Sequence, residues 1–538
     1  MRTDTWYAKH GRTLSASDEA QLLRLIQDAA GLSPFGAGEL TRLLRKYPRA
    51  DGQFAKDQII AAYRQFCADG RLTFDRETLR RLQMKPVRTL SGVATVTVLT
   101  KPFPCPGECI FCPTDARMPK SYLADEPGVL RAEYHHFDPF ETTASRLRAL
   151  DNIGHATDKV ELLILGGTWS YYPPDYQEWF IKRCFDAMNG VDAASLEAAQ
   201  QINETAAHRN VGLVIETRPD YVDAAEVRRL RRYGVTKVQL GAQSLDDRIL
   251  DLNRRGHTVE QTRQAVRLLR AAGFKLHLHW MPNLLGATPT SDREDYLRLW
   301  ADPGLRPDEL KIYPCSLVRE AELVRWWERG EYLPYTDDEL VALIADCKAQ
   351  TPRYVRLNRI IRDIPAGHVV AGSTASNLRE VVKKHLTAQG RVCQCIRCRE
   401  VRGEKVIGEW RVTGDEYETT GGRELFLSGV TEADKLLGFL RLSLPAPEAI
   451  AWHGLTELRD AALIREVHVY GPVMRIGEGA TEGAAQHIGL GATLIREAEG
   501  RARVAGYARL AVISAIGTRD YYRKHGFELG ELYMAKAL

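Results

Sequence analysis

The 538 residues are 44% hydrophobic and 27% charged, with a formal net charge of only +4. At about 150 residues per domain, that length makes three or four domains with ample material for their cores. No stretch reaches the roughly eighteen apolar residues of a membrane span, and the polar start MRTDTWYAKHGRTLSASDEA lacks the apolar centre of a signal peptide. Membrane and secreted classes are therefore excluded, and a cytoplasmic location is expected.

In chain order, residues 17–85 show helical periodicity, with Ser17 placed to cap a helix through Leu22, Leu23, Leu25 and Ile26. Further helices are predicted at 37–46 and 55–67. Residues 1–90 carry 16 Lys and Arg against 10 Asp and Glu, a basic excess that suits a polyanionic partner or a merely solvated face. Pro86 and Gly92 break the pattern. Apolar, β-branched runs then appear at 93–99, 159–165, 211–216, 236–240, 274–280 and 309–313, with helical segments such as 222–233 and 260–272 between them. Alternating strands and helices predict a parallel sheet, open or closed into a barrel. Its active site would lie at the C-terminal ends of the strands. The chain changes character near residue 372. A polar, basic, cysteine-bearing stretch follows, then an α+β pattern with strands near 424–428, 436–443 and 463–470, a glycine turn at 486–491, a helix, and the run "LAVISA".

The ten cysteines sort by spacing. Cys105, Cys109 and Cys112 lie in "CPGECIFCP", directly after the first strand, and Cys393, Cys395 and Cys398 in "RVCQCIRCRE"; the others are scattered. In a reducing compartment, clustered cysteines read as metal ligands. Three cysteines can hold three irons of a 4Fe-4S cluster and leave the fourth for a non-protein ligand, whereas electron-transfer clusters use four. A zinc knuckle is the competing reading. Against it stand Gly166-Gly167-Thr168 after the second strand, Glu216 and Arg218 at the end of the third, and Gly241 to Ser244, including Gln243, at the end of the fourth. With the C-x3-C-x2-C spacing, these resemble the radical S-adenosylmethionine (SAM) superfamily, in which SAM takes the open iron and yields a deoxyadenosyl radical. The resemblance makes Gly166, Gly167, Thr168, Glu216, Arg218 and Gln243 the SAM-binding set.

Near the C-terminus, "QHIGLG" leads into a helix, and backbone N–H groups at such a turn form an anion site suited to a pyrophosphate. The pattern resembles the GNAT acetyltransferases, which hold coenzyme A in this way. Tyr521 and Tyr522 lie where such enzymes place a proton donor for the departing thiolate, although both also read as core aromatics. Adjacent helical residues point about 100° apart, so one of the pair is expected to face the site, and the resemblance favours Tyr522. The second cysteine trio offers three ligands where structural zinc takes four. Cys315, Cys347 and His385 are candidates for the fourth, and a second iron–sulfur cluster remains the alternative.

The segments "MKPVRTLSGVATVTVLTKPFPCPG", "LGGTW", "ETRPD", "LGAQSLDD", "REVHVYG" and "GTRDYYRKHGF" together resemble the catalytic subunit of Elongator, the Elongator protein 3 family, from about residue 15 to 538. The resemblance implies an α/β fold: a radical SAM partial (β/α) barrel at 86–373, with a basic helical tRNA-binding domain at 1–85, a zinc-binding linker at 374–402 and an α+β GNAT domain at 403–538. It implies an enzyme that uses SAM and acetyl-CoA to form 5-carboxymethyluridine at the tRNA wobble position, with a radical formed on the acetyl methyl group adding to uridine carbon 5. Cys105, Cys109 and Cys112 would hold the 4Fe-4S cluster. Lys159, Glu466, Val467, His468, Val469, Gln486, Gly489, Leu490, Gly491, Ala492 and Tyr522 would contact acetyl-CoA, with Lys159, Tyr521 and Tyr522 as catalytic candidates. Cys315, Cys393, Cys395 and Cys398 would hold zinc, and Lys85 and Arg88 would touch tRNA. The implied partners are the anticodon loop and an electron donor; dimerisation and further Elongator subunits stay open. Eukaryotic members have a longer gap between their first two cluster cysteines, so the x3 spacing here points to a microbial member. The rival reading is a protein lysine acetyltransferase with the barrel as scaffold.

Overall fold

The computed structural model describes residues 15–36, 38–49, 52–83, 89, 92–115, 117–362, 364–375, 377–401, 409–470 and 489–538. The run "KVELLIL" shows how the central sheet is made. Val160, Leu162 and Ile164 are buried in the main core, while Glu161, Leu163 and Leu165 point the other way, as the two-residue repeat of a strand requires. This strand is β2 (Lys159–Leu165), preceded by β1 (Ala94–Leu99) and followed by β3 (Arg209–Thr217), β4 (Lys237–Gln243), β5 (Lys275–Trp280) and β6 (Glu309–Ile312). Short β7 (Leu317–Val318), β8 (Arg356–Arg359) and β9 (Val369–Ala371) complete this part. The order β1-β2-β3-β4-β5-β6-β8 is parallel throughout. Helices such as Pro139–Asn152, Pro174–Asn189 and Val259–Ala271 cover one face. β1 and β8 are its two edges, so the curved sheet is an open half-barrel. β7 and β9 pair in a separate ribbon.

Among the described residues, four helices precede the barrel: Ala16–Gly31, Glu39–Lys46, Lys56–Ala68 and Arg76–Leu82. They bury their own core of Leu22, Leu25, Ile26, Leu43, Ile59 and Tyr63. The first begins earlier than expected. Ser15, not Ser17, is its cap, because Asp18 stands three residues on and returns the bond to the Ser15 N–H.

The C-terminal sheet is mixed. It contains β10 (Trp410–Thr419), β11 (Gly422–Thr431), β12 (Leu436–Pro445), β13 (Ala461–Val469), β14 (Arg509–Val512), β15 (Glu528–Leu529) and β16 (Met534–Ala537) in the order β10-β11-β12-β13-β14-β16-β15. Among the described residues, β13 and β14 are its one parallel pair and run side by side over only Ala461–Ile464, and the rest of β13 has no strand partner on that side. Sequence reading missed β7, β8, β9, β10, β15 and β16. β10 is an edge strand that buries one end residue, Thr419, and the other five are four residues or shorter, so none shows the apolar run that marks a buried strand.

A buried ionic network joins barrel and mixed sheet. Asp308, just before β6, and Arg465 of β13 are both wholly buried. Arg465 grips both Asp308 carboxylate oxygens, at 2.6 and 2.8 Å, and pairs with Glu424 at 2.9 Å. Arg441 adds a contact to Asp308 at 3.4 Å and one to Glu466 at 2.9 Å. Lys275 of β5 bridges Glu466 to Glu309, and Lys237 reaches Glu161 at 2.7 Å. Burial alone would raise the Asp308 carboxyl, but Arg465 and Arg441 hold it well below the usual range. Its contribution to stability is therefore present above about pH 3.9 and is lost only as pH falls through its lower folded value. Removing one partner strands the other charge: Asp308→Asn should cost about 3–5 kcal/mol, read as a fall in the denaturation midpoint. A variant as stable as the parent would show that the network does not hold the two parts together.

Candidate active site

The strand-end residues converge on one mouth. The loop after β1 carries Cys105, Cys109 and Cys112, all partly buried. It is tightened by Cys112 N–H donating to the Cys109 carbonyl at 3.1 Å and Gly107 N–H donating to the Cys105 sulfur at 3.4 Å. Burial, then the neighbouring Cys109 and Cys105, pushes the Cys112 thiol up to about 12; bound metal would reverse this by replacing the proton. Two guanidinium groups also face the loop. Arg255 lies 3.7 Å from the Cys109 sulfur, and Arg218 packs so closely on Gly107 that a Cβ there would stand 2.2 Å from its Nη1. Buried cations around thiols suit an anionic centre.

Beside the loop, Gly166 and Gly167 have φ of +133° and +99°. A Cβ on Gly166 would stand 1.9 Å from Thr100 Oγ1, so only glycine fits. The Gly166 carbonyl accepts from Thr100 Oγ1 at 3.1 Å and from the Tyr172 hydroxyl at 2.9 Å. Thr168 Oγ1 lies 3.9 Å from the Cys105 sulfur. Glu216 and Gln243 face the interior of the half-barrel. Burial raises the Glu216 carboxyl against the pull of Lys311, Arg362 and Arg255, and Gln243 is left-handed at φ +69°. Of the predicted SAM-binding residues, Glu216 and Gln243 thus line the cavity, while Thr168 and Arg218 adjoin the cysteine loop at Cys105 and Gly107.

That mouth opens into a cavity of about 950 Å³. Its lining runs from Cys112 and Tyr122 at the strand C-termini, past Leu163 and His277, to Glu161 and Lys275 at the strand N-termini. It continues to Glu466, Val467, His468 and Tyr522 of the mixed sheet. The half-barrel is therefore hollow along its length, and its floor is the predicted thioester site. Tyr522 lines this cavity and burial raises its hydroxyl. Burial also draws His468 down to about 4. Tyr521 is more exposed and stands over Gly491, where a Cβ would lie 2.6 Å from its hydroxyl and 3.7 Å from Val469 Cγ2. Gly489 is left-handed and starts helix Leu490–Val504. The Leu490 side chain is wholly buried against Gly429 and Gly438, so its backbone alone is available to a ligand. Ala492 is half-buried on the same first turn. Lys159 opens β2 at the barrel base and burial lowers its amine. It is half-buried and does not line the cavity. Gln486, Lys85 and Arg88 lie outside the described residues.

The second trio is real but differs from expectation. Cys393, Cys395 and Cys398 bring their sulfurs within 4.8 Å of one another, and Lys348 Nζ stands 3.9 Å from Cys398. Hydrogen bonds from Cys393 and Cys395 draw the Cys398 thiol down. Cys315 does not join them. It is buried in a separate cluster with Ile110, Leu317 and Tyr332 near the cavity mouth, because the chain after β6 turns back under the cysteine loop. Among the described residues no fourth Cys, His, Asp or Glu completes the set.

Sequence reading also missed the polar lumen: Lys237, Lys275, His277, His279, Glu309 and Lys311. The signal was there in "KLHLHW", where polar residues alternate with Leu in what should be a doubly buried parallel strand.

Comparisons with known proteins agree with this architecture. The radical SAM superfamily matches residues 104–299, and the radical SAM C-terminal domain matches residues 307–388. A "tRNA uridine(34) acetyltransferase" of Dehalococcoides mccartyi is 46% identical over 84% of this chain and 99% of its own length. The chain belongs to the Elongator protein 3 family. "Elongator complex protein 3" of Danio rerio is 36% identical over 86% of this chain and 87% of its own length. The solved archaeal Methanocaldococcus infernus Elp3 with residues 1–46 deleted superposes with a TM-score of 0.73 at 39% identity, covering 83% of this chain and 99% of that one. Among the described residues, no helix of this Elongator protein 3 relative is long and apolar enough to cross a membrane. The Gly166 cradle can be tested. Gly166→Ala should weaken SAM binding at least about tenfold, roughly 1.4 kcal/mol, by calorimetry, with an unchanged circular dichroism spectrum; unaltered affinity would place SAM elsewhere.

Proposed function

We propose that this protein modifies the wobble uridine of tRNA to 5-carboxymethyluridine, using SAM and acetyl-CoA. The observation that carries this reading is the hollow barrel. Cys112 of the cysteine loop, Glu216 and Gln243 line one end of a cavity whose other end is formed by β13 and Tyr522. A barrel serving only as scaffold for an acetyltransferase has no need of that passage. The names of the relatives point to the same substrate, the uridine at tRNA position 34.

In this reading Cys105, Cys109 and Cys112 hold a 4Fe-4S cluster, and Gly166, Gly167, Thr168, Glu216, Arg218 and Gln243 seat SAM beside it. Cluster and SAM together supply a carbon radical able to take hydrogen from the acetyl methyl group. The protein places and shields the reactants. The N–H groups at Gly489–Ala492 receive the coenzyme A pyrophosphate. β13, from Glu466 to Val469, lines the pantetheine arm, and Lys159 flanks its approach at the barrel base. Tyr522, kept protonated by burial, donates to the departing thiolate sulfur. The Lys275, Glu309 and Glu466 pairs keep the floor charge-balanced, so no free carboxylate competes for the thioester. Cys393, Cys395 and Cys398 hold a structural zinc, with the fourth position left to a ligand outside the described set. The basic N-terminal helices and the segment with Lys85 and Arg88 take the tRNA backbone. The target base leaves its stack to enter the mouth, which a single-stranded loop allows at modest cost. An external donor supplies the electron.

Reduced, reconstituted protein given tRNA, SAM and acetyl-CoA should form 5′-deoxyadenosine and 5-carboxymethyluridine at the wobble position. Cys109→Ala should form neither; acetyl-lysine formation without deoxyadenosine would establish the protein acetyltransferase instead. Tyr522→Phe should slow product formation by about 10²-fold with little change in acetyl-CoA affinity. Leu163→Trp, which fills the lumen at mid-height, should keep SAM cleavage and lose the modified uridine. If that variant still modifies tRNA, the passage is not the route.

A further inference from the structure

The two guanidinium groups at the cysteine loop differ in their counter-charges. Arg218, 4% exposed, is paired with Asp220 at 2.8 Å. Arg255 is 6% exposed. One terminal nitrogen donates to the Gly241 carbonyl at 2.7 Å, the other lies 3.7 Å from the Cys109 sulfur, and its Nε has no hydrogen-bond partner. Among the described residues no carboxylate forms an ion pair with Arg255, whereas Arg254 next to it pairs with Glu322 at 3.2 Å. Glu216 feels its charge but stands beyond ion-pair distance. His257 brings no negative charge either: burial, then Arg255 and Arg218, draws its imidazole down to about 2. The position is built. A Cβ on Gly241 would come within 2.8 Å of the guanidinium, so glycine there makes room for it.

A buried guanidinium with no carboxylate partner is costly, and an anion beside it offsets that cost. Among the described residues, the thiol group nearest to Arg255 is Cys109, 3.7 Å away. We propose that Arg255 is the counter-cation of the iron–sulfur cluster: it donates an N–H to the Cys109 sulfur and raises the cluster's reduction potential. This rests on the reading of Cys105, Cys109 and Cys112 as cluster ligands. The physics is direct. Reduction adds an electron to an already anionic centre, and both a nearby positive charge and hydrogen bonds to the sulfurs favour the added charge. Arg255 acts through Cys109 and is a positioning and tuning residue.

The test compares wild type with Arg255→Gln and Arg255→Lys, anaerobically reconstituted and without SAM. Iron and sulfide contents are measured first, and midpoint potentials by EPR-monitored titration second. Arg255→Gln should hold wild-type iron and lower the one-electron reduction equilibrium at least about tenfold, equivalent to 59 mV; Arg255→Lys should recover most of that shift. A Gln variant with wild-type potential overturns the proposal, and does so also if its SAM affinity falls, because the guanidinium then serves the SAM carboxylate. If neither variant assembles a cluster, reduced wild-type protein labelled with ¹⁵N-arginine decides by pulsed EPR. A weak ¹⁵N coupling that accounts for two arginines, Arg218 and Arg255, supports the proposal, and its absence overturns it. A wild-type protein that takes up no iron overturns the cluster reading itself, a result distinct from an unshifted potential.

Discussion

The pairing of Asp308 with Arg465 fixes the geometry on which everything else depends. Both charges are wholly buried at the seam between half-barrel and mixed sheet, where isolated charges would be intolerable. Each is satisfied only when the two parts meet in one register. Arg465 then also donates to the Phe274 carbonyl just before β5, and Arg441 donates to the Tyr354 carbonyl just before β8. Gly517 allows a turn of the mixed domain to lie against Arg209 and Asn210 at the start of β3. These contacts all fall on the N-terminal ends of barrel strands, so the mixed sheet plugs the base and leaves the mouth free. Such a seam is expensive to break and adds little net stability over a hydrophobic one. What it supplies is orientation: β13 is held with Glu466 and His468 facing into the lumen.

The fold was largely legible, because its signals are local. Alternation in β2 and β5, apolar runs in β3 and β4, and helices between them suffice for a parallel sheet. The strands that escaped, β7, β8, β9, β10, β15 and β16, are short or lie at sheet edges. The site was legible where chemistry is concentrated in a few adjacent residues: the first cysteine trio, the glycine cradle and the tyrosine pair. It was not legible where function depends on a meeting of remote segments. Arg255 reads as one more basic residue in "NRRGHT", and nothing near it in sequence says that Cys109, 146 positions away, will be its neighbour.

The two cysteine trios show the same limit from the other side. Their spacings, x3-x2 and x-x2, are nearly alike, and sequence reasoning reached for a fourth ligand for the second by proximity to a strand end. In three dimensions they separate cleanly. The first trio lies, partly buried, on the loop after β1, and the second is closed to within 4.8 Å by the turn into helix Ile396–Arg399. Cys315 follows β6 and so belongs to the barrel mouth, while the second trio packs beside helix Asp337–Ala349, which carries Lys348. Backbone path, not ligand spacing, decides which sulfurs share an ion.

An open lumen is itself the feature that requires explanation. Barrels of parallel strands are ordinarily filled by bulky branched side chains pointing inward. Here the inward positions hold Thr95 and Thr97 on β1, Gly212 on β3, Gln239 on β4, and His277 and His279 on β5. None of these packs as an apolar layer. Small residues leave volume, and polar ones lose too much hydration to collapse onto one another without partners. The longer side chains at the base, Lys237, Lys275 and Glu309, would close the lumen if they were free. Lys237 pairs with Glu161, Lys275 with Glu466, and Glu309 with both lysines, which tethers all three to the walls. The same charges that lock the two domains together therefore also keep the passage between them clear, which explains why a hydrophobic seam of equal stability could not take their place.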